Sequence, residues 1–260
     1  MITSLSSLYK LAASGLSANQ AYLDVVSNNI ANANTPGFKS SHALFAEALD
    51  GASELPDQLD PRRYLGVRVS DVSPNLNQGT LAPSESPWHV AIDGPGYFQV
   101  RLPNGTPAYT RDGRFSLDAT RQIVTADGYL LEPAVTLPEG AEGFHVNPDG
   151  AIMAEFVDAD GERARRQVGR MTIMGFAAAE RLNHIGQNLF TATPESGPAM
   201  PLRPDGQPWG EVAAQAVEGS NTDLVEAMMD LVSAQRAYAV SARVLQTFDE
   251  MASEASNLKR

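Results

Sequence analysis

Heptad repeats near both ends of the chain constrain its fold more than any other feature of the sequence. Between residues 4 and 33, one row of residues recurs every seven positions and a second row follows three positions later. The same two rows recur near the C-terminus. This pattern predicts helices whose narrow apolar seams pack on other helices. The rows are Tyr9, Leu16, Leu23, Ile30 with Ala12, Asn19, Val26, Ala33, and Leu224, Leu231, Tyr238, Leu245 with Ala227, Ala234, Ser241, Phe248.

Each predicted helix carries a boundary signal on the side that leads into the middle of the chain. The sequence "GSNTD" precedes the C-terminal helix, and Ser220 with Asp223 fits the spacing of a capping box. The N-terminal repeat ends within "NNIANANTPGFK", where Pro36 disfavours helical geometry at Thr35 and Gly37 supplies the left-handed angles of a turn. Both ends of the chain are therefore predicted to be helical.

The two helical seams are too weakly apolar to make a stable pair by themselves. Ala, Ser and Asn dilute both seams, and Gly15 costs the first helix about 1 kcal/mol relative to Ala. Two helices alone bury little surface. The sequence therefore predicts helices that pack on further helices, and a function in assembly.

Residues 65–210 are predicted to form an all-β domain. Their short apolar or alternating runs are separated by Asp-Gly or Asn-Gly pairs, which supply the positive φ angles of tight hairpins. These pairs lie at 93–94, 104–105, 112–113, 127–128, 149–150, 160–161 and 205–206. The predicted fold class is α+β. Its discontinuous, coiled-coil-like helical domain comprises residues 1–39 and 211–260, a linker that begins with a short helix comprises residues 40–64, and the hairpin-rich β domain is inserted between them.

Charge and composition exclude several classes of function. The formal net charge of −12 argues against a nucleic-acid partner, and the densest basic run, "ERARRQ" at 162–167, is typical of a solvated strand or turn. The chain has no cysteine, which excludes thiolate catalysis, disulfides and Cys-ligated zinc. No run approaches the roughly 18 apolar residues of an integral membrane segment, and the N-terminus lacks the features of a cleaved signal peptide.

Catalytic motifs are also missing from the sequence. The four histidines, His42, His89, His145 and His184, are far apart, and no zinc-protease, nucleophile-elbow or phosphate-loop motif occurs. We therefore predict no enzyme activity, no cofactor and no metal site.

Three segments of the chain resemble the bacterial flagellar rod and hook proteins. "LYKLAASGLSANQAYLDVVSNNIANANTPGFKSS" (8–41) is similar to the N-terminal motif of that family, and "VEGSNTDLVEAMMDLVSAQRAYAVSARVLQTFDEM" (217–251) is similar to its C-terminal motif. The segment 89–133 resembles the β domain that rod and hook members share. The chain length and the motif order are most like the distal rod member, although the segment 40–65 is shorter and more acidic than is typical of that member.

The resemblance implies a structural protein that needs neither catalysis nor a cofactor. Family members leave the cytoplasm unfolded through the flagellar type III export apparatus, without a cleaved signal peptide. They then polymerise helically with copies of themselves and with neighbouring rod and hook subunits, outside the cytoplasmic membrane. The resemblance thus implies a subunit of the flagellar basal-body rod that transmits torque to hook and filament.

Other functions are compatible with the residues. Within the family, the chain could be a proximal rod protein or another rod/hook paralogue. Outside the family, it could be a β-rich binding module on a closed helical stalk, as in a fibre or adhesin, or a hydrolase that uses carboxylates of the β domain. A closed stalk would sediment as one small oligomer, whereas a rod subunit would form open-ended assemblies.

We predict two groups of site residues. The assembly interface comprises Tyr9, Leu16, Asn19, Leu23, Val26, Ile30, Leu224, Leu231, Tyr238, Leu245 and Phe248, with Asn19 fixing the register of the helices. The joint between the helix and the β domain comprises Asn28, Asn29, Asn32, Asn34, Pro36, Gly37 and Phe38. Four asparagines are more than a helix end needs, so we expect their amides to hydrogen-bond the departing chain or a neighbouring subunit.

Overall fold

A computed structural model describes residues 2–49, 64–157, 163–201 and 210–257. Within these ranges the chain forms two α-helices, eighteen β-strands and a 3-10 turn at Ala179–Arg181. The elements are α1 (Ile2–Ala31), β1 (Ser41–Leu49), β2 (Tyr64–Pro74), β3 (Leu81–Pro83), β4 (Val90–Asp93), β5 (Tyr97–Arg101), β6 (Pro107–Thr110), β7 (Phe115–Leu117), β8 (Ile123–Thr125), β9 (Leu130–Glu132), β10 (Ala141–Val146), β11 (Ala151–Val157), β12 (Arg163–Arg170), β13 (Ile173–Gly175), β14 (Asn183–Gly186), β15 (Leu189–Thr191), β16 (Met200–Pro201), β17 (Glu211–Ala214), β18 (Ala216–Glu218) and α2 (Leu224–Asn257). The α+β prediction is confirmed at this level: a helix lies at each end, with antiparallel strands between them.

The chain divides into two compact units. The helical unit comprises Met1–Ala31, Ser41–Pro74 and Asp223–Arg260, and the β unit comprises Asn32–Ser40 and Asn75–Thr222. The chain therefore passes from one unit to the other four times, after residues 31, 40, 74 and 222.

In the helical unit, α1 packs against α2 and also against the antiparallel hairpin of β1 and β2. The hairpin approaches α1 closely at Gly66, where a Cβ atom would lie 1.8 Å from Ser14 Oγ. The next residue, Val67, donates its backbone N–H to the same hydroxyl at 3.3 Å. A glycine is needed here because any side chain would push the strand away from the helix.

The short helix expected at the start of residues 40–64 is wrong, because Ser41–Leu49 form β1. The sequence "SHALFAEAL" has favourable helix propensity, but propensity is a weak preference that tertiary pairing overrides. Here the pairing partner is β2, which is antiparallel to β1 from Ser41 opposite Pro74 to Leu49 opposite Tyr64. The rest of the predicted linker, residues 50–63, lies outside the described residues.

The β unit is built on a nine-stranded antiparallel sheet. Its main path runs β14-β15-β6-β5-β9-β8-β7, and β13 and β16 pair beside β5. A three-stranded sheet of β10, β11 and β12 and the pairs β4–β17 and β3–β18 complete the unit. The largest apolar cluster among the described residues of the unit includes Ile92, Phe98, Leu131 and Ile152, all fully buried, and Val100 lies in a separate, smaller cluster.

Three of the Gly-containing pairs lie in hairpins as the sequence predicts. The pairs at 104–105, 127–128 and 149–150 connect β5 to β6, β8 to β9 and β10 to β11. The pairs at 93–94 and 112–113 instead connect strands that pair elsewhere, since β4 pairs with β17 and β7 with β8. The pairs at 160–161 and 205–206 lie outside the described residues.

The start of α2 differs from the predicted capping box. Asp223 Oδ1 accepts the backbone N–H groups of Val225 at 2.8 Å and Glu226 at 3.1 Å, so Asp223 is the N-cap. Ser220 Oγ instead bonds to Thr222, one turn earlier. Residues 211–218, which the sequence assigns to the helical domain, form β17 and β18 of the β unit.

Candidate functional site

The buried apolar residues of the two helices are small. They are Ala18 and Val26 of α1 and Ala227 and Ala234 of α2. Among the predicted interface residues, Val26 is buried, Tyr9 and Leu224 are exposed, and the others are half-buried: Leu16, Asn19, Leu23, Ile30, Leu231, Tyr238, Leu245 and Phe248. The large heptad side chains of the two helices are therefore not fully covered within the chain.

A polar pair crosses the seam. Asn19 Nδ2 donates to Ser241 Oγ at 3.2 Å, and Ser241 Oγ in turn donates to the carbonyl of Ala237. A Cβ atom on Gly15 would lie 3.9 Å from the same hydroxyl. Because a hydrogen bond between two helices is satisfied at one alignment, this pair supports Asn19 as a register residue.

Tyr22 links three elements of the helical unit. It lies on α1, its hydroxyl is hydrogen-bonded to Asp230 of α2, and its ring lies edge-on to Phe45 of β1 at 5.8 Å between centroids. Burial first, and then the charge and hydrogen bond of Asp230, raise the pKa of Tyr22. Tyr22 therefore takes part both in the pairing of α1 with α2 and in the packing of the hairpin on α1.

Helix α2 presents a second apolar face, which we call the exposed stripe. Val225 is 68% exposed, Met229 61% and Val240 64%. At about 100° per residue, these positions lie on the side of the helix opposite Ala227 and Ala234. The exposed stripe consists of Val225, Met229, Val232, Val240, Val244 and Met251. Arg236 and Arg243 lie exposed on the same side of the helix, so two arginines interrupt the stripe. Exposed apolar side chains along one side of a surface helix are typical of a protein contact.

The predicted joint residues begin in the last turn of α1. The side chain of Asn29 is buried and forms two hydrogen bonds with the backbone of Ser41: its Nδ2 donates to the carbonyl and its Oδ1 accepts the N–H, each at 2.8 Å. Asn32 follows the helix, and its Oδ1 accepts the hydroxyl of Thr35. Asn28 and Asn34 are exposed. Helix α1 ends at Ala31, so the heptad position Ala33 lies beyond it.

The rest of the joint is packed within the β unit. Gly37 has φ of +72°, and a Cβ atom there would lie 2.6 Å from the backbone N of Asp112. The carbonyl of Pro36 accepts Asn188 Nδ2 at 3.1 Å. Phe38 is buried, and its carbonyl accepts the backbone N–H of Asn221 at 3.4 Å. These contacts place the turn among residues from distant parts of the sequence.

Sequence reasoning missed the polar residues that hold this segment. Asn221 Oδ1 accepts the N–H of Ser40 at 2.8 Å, and its Nδ2 donates to the carbonyls of Asn75 at 2.7 Å and Asn77 at 2.9 Å. Glu218 is fully buried with Lys39 and Arg111 around its carboxylate. These residues are too far apart in the chain for any spacing rule to connect them, and a buried Glu carries no local signature.

The described residues carry no cluster of three His, Asp or Glu side chains that could hold a metal ion. Within the same ranges, no helix is long and apolar enough to cross a membrane.

Models of three protein families match separate parts of the chain. Residues 10–39 match the flagella basal body rod protein family. Residues 91–154 match the D1 domain of the flagellar hook protein FlgE/F/G family, and residues 213–258 match the C-terminal region of flagellar basal body rod FlgEFG proteins.

Relatives of known name are similar over nearly the whole chain. The flagellar basal-body rod protein FlgG of Caulobacter vibrioides is 36% identical over 260 residues, which cover 96% of this chain and 98% of the relative. FlgG of Bacillus subtilis is 34% identical, covering 98% of this chain and all of the relative (100%). The rod protein FlgF of Escherichia coli is 28% identical and covers 90% of each chain.

Proposed function

This chain belongs to the family of flagellar basal-body rod proteins, and we propose that it assembles by burying the exposed stripe of α2 against neighbouring subunits. It is a structural subunit of the distal rod in the flagellar basal body, as its similarity to FlgG proteins indicates. A proximal rod subunit is not favoured, because the FlgF relative is less similar than the FlgG relatives.

The exposed stripe is the observation that carries the proposal. The seam between α1 and α2 uses one face of α2, and its alanines and half-buried heptad residues leave the opposite apolar face free for another helix. Val225, Met229 and Val240 would each gain about 1.5–3 kcal/mol from full burial. A row of such residues along a helix of 34 residues favours side-by-side contacts with further helices.

We further propose that these contacts repeat helically, so that copies of this chain form a tube with the neighbouring rod and hook subunits. The heptad residues on both helices belong to this interface, either within one subunit or between subunits. The tube transmits torque to the hook and filament.

The chain reaches the site of assembly unfolded, through the flagellar type III export apparatus. This route suits a chain that has no cysteine to mispair.

The test of the exposed stripe compares two changes on the same helix. Val240→Asp places a charge in the stripe, and Gln246→Asp places the same charge at an exposed polar position. We expect Val240→Asp to abolish swimming and to remove the protein from purified hook–basal bodies, while Gln246→Asp leaves both unchanged. Normal rods built from the Val240→Asp protein would contradict the proposal.

The joint residues have a separate proposed role. We propose that Asn28, Asn29, Asn32 and Asn34, with the turn at Pro36, Gly37 and Phe38, fix how α1 continues into the β unit. Asn29 supports this, since its two bonds to Ser41 tie the last turn of α1 to the first residue of β1. Replacing all four asparagines with Ala should lower motility and rod stiffness. Wild-type motility and stiffness would count against the proposal.

A further inference from the structure

Three charged side chains are buried together in the β unit. The side chain of Glu218 is 0% exposed, that of Lys39 1% and that of Arg111 5%. Lys39 Nζ lies 2.5 Å from Glu218 Oε1, and Arg111 Nη1 lies 3.3 Å from Glu218 Oε2. We call these three residues the buried triad. It contains two cations and one anion, so both cations share the carboxylate of Glu218 and the net charge of the three side chains is +1.

Glu218 also accepts hydrogen bonds from the backbone around it, through its carboxylate and its carbonyl. Glu218 Oε1 accepts the N–H of Gly79 at 2.9 Å, and the Glu218 carbonyl accepts the N–H of Gly37 at 2.7 Å. The cations have backbone partners as well: Lys39 Nζ donates to the carbonyl of Asn77, and Arg111 Nη2 donates to the carbonyl of Gly94, each at 2.8 Å. The buried triad and its backbone partners therefore join five separate segments of the chain, at residues 37–39, 77–79, 94, 111 and 218.

The triad closes a contact between distant parts of the sequence. Lys39 and Glu218 are separated by 179 positions. Lys39 follows the end of α1, and Glu218 ends β18 shortly before α2 begins. Two of the three members, Lys39 and Arg111, therefore precede the third by more than a hundred positions.

Without Glu218, the same site would hold two buried cations and no anion. Burial lowers the pKa of Lys39, the hydrogen bond and charge of Glu218 oppose this, and the charge of Arg111 adds to the lowering. Arg111 cannot lose its proton, and its Nε is buried with no hydrogen-bond partner among the described residues. Breaking a buried ion pair by removing one partner is strongly destabilising, because an uncompensated charge stays behind.

We propose that the buried triad is a charge lock that makes stable folding of the β unit conditional on the arrival of the segment around Glu218. A chain that has placed Lys39 and Arg111 but not Glu218 holds two uncompensated cations, so its β unit is strongly destabilised. The buried triad is complete only when the segment around Lys39 and the segment around Glu218 are both in place. The inference concerns the folding of one chain and does not rest on the proposed assembly function.

The lock makes an asymmetric prediction for full-length variants. Glu218→Gln leaves two cations and should raise the unfolding equilibrium constant of the β unit by two to three orders of magnitude, roughly what breaking a buried pair costs. Lys39→Met leaves Arg111 balanced by Glu218 and should raise it about tenfold at most. The double variant restores the original net charge of the site, so it should be at least about tenfold more stable than Glu218→Gln alone.

The matched control is Glu155→Gln, which removes the same charge from a pair with the exposed Arg165 on the surface of the β unit. It should change the unfolding constant less than about fivefold. Urea unfolding followed by the fluorescence of Trp88, which stacks on Phe144 in the core, measures all four variants. If Glu218→Gln does not fold, recovery of folding in the double variant supports the lock. A double variant that is no more stable than Glu218→Gln, or that also fails to fold, overturns it.

A kinetic measurement tests the conditional step directly. During refolding of the wild-type chain, pulsed hydrogen exchange should show the amides of Gly37 and Gly79 gaining protection in the same phase as β5 and β9. Both glycine amides donate to Glu218, so their protection reports that the lock has closed. A long-lived intermediate with protected β5 and β9 but unprotected Gly37 and Gly79 would overturn the proposal.

Discussion

The two units of this protein bury very different side chains. The β unit encloses large residues such as Ile92, Phe98 and Leu131 completely, in a cluster of fourteen buried apolar residues among those described. In the helical unit, the buried apolar residues of the two helices are alanines and one valine, and the exposed stripe of α2 remains in water. The β unit buries its large apolar side chains internally, whereas α2 leaves several of its own exposed. This division is what we expect of a subunit whose helices pack on neighbouring subunits, as proposed above.

The largest effect on stability should come from a change in the core of the β unit. Phe98→Ala removes a fully buried ring that packs edge-on to Phe115, so it should destabilise the β unit by about 3–5 kcal/mol. Urea unfolding followed by Trp88 fluorescence measures the loss. Met200→Ala, at an exposed site of the same unit, is the control and should cost less than about 0.5 kcal/mol. Equal effects of the two changes would mean that the β unit has no tightly packed core.

A smaller effect on stability, but a complete effect on motility, should come from the seam. Leu231→Asp or Leu23→Asp places a charge among half-buried residues and should destabilise the helical unit by about 2 kcal/mol. Swimming should be lost, while hydrogen exchange of the β unit stays at the wild-type level. Gln235→Asp adds the same charge at an exposed site of α2 and serves as the control. A motile strain that carries Leu231→Asp would refute this use of the seam.

A change at the start of α2 should affect the helical unit by about 1 kcal/mol. Asp223→Ala removes the carboxylate that accepts the N–H groups of Val225 and Glu226. The first turn of α2 should fray, which amide exchange at those two residues detects. Asp223→Asn keeps an acceptor and should retain most of the protection. Equal exchange in the Ala variant and the wild type would exclude Asp223 as the cap.

The smallest effect on stability should appear at high pH, where one tyrosine in each unit can be tested separately. Burial raises the pKa of Tyr97 above that of a free tyrosine, and the charge of Arg111 opposes this rise. Above about pH 10 the unfolded chain therefore loses the phenolic proton before the folded chain does, and the stability of the β unit falls. Tyr97→Phe should remove part of this fall, and Tyr22→Phe should act in the same way on the helical unit. A stability profile of the β unit that Tyr97→Phe leaves unchanged between about pH 9 and 11 would contradict the shift.

Local patterns predicted the helices and most of the strand-rich middle of the chain. Heptad spacing identifies α1 and α2, and Asp-Gly and Asn-Gly pairs identify hairpins, because both signals act over a few residues. The prediction of a short helix was wrong at β1, because pairing with β2 overrides the helix propensity of these residues. It also missed the cap of α2 by three positions, because Ser220 and Asp223 both have capping side chains and only the backbone geometry decides between them.

The site residues were less predictable than the fold. Asn19, chosen for its polarity within an apolar row, does contact the facing helix through Ser241. The heptad rule finds one seam per helix, however, so it overlooked the exposed stripe on the opposite face of α2. Lys39, Arg111 and Glu218 could not be connected at all, since their pairing depends on how strands from distant segments are arranged.

The points where the chain leaves the β unit are tied to one another. Ser40 and Asn75 border two of the four crossings, and Asn221 lies one residue before the end of a third. The backbone of Ser40 bonds to the backbone of Asn75 and to the side chain of Asn221, and Asn221 also bonds to Asn75. A pull on any one of these three stretches of chain is therefore shared by the other two, so force enters the β unit through a hydrogen-bonded patch and not through a single residue.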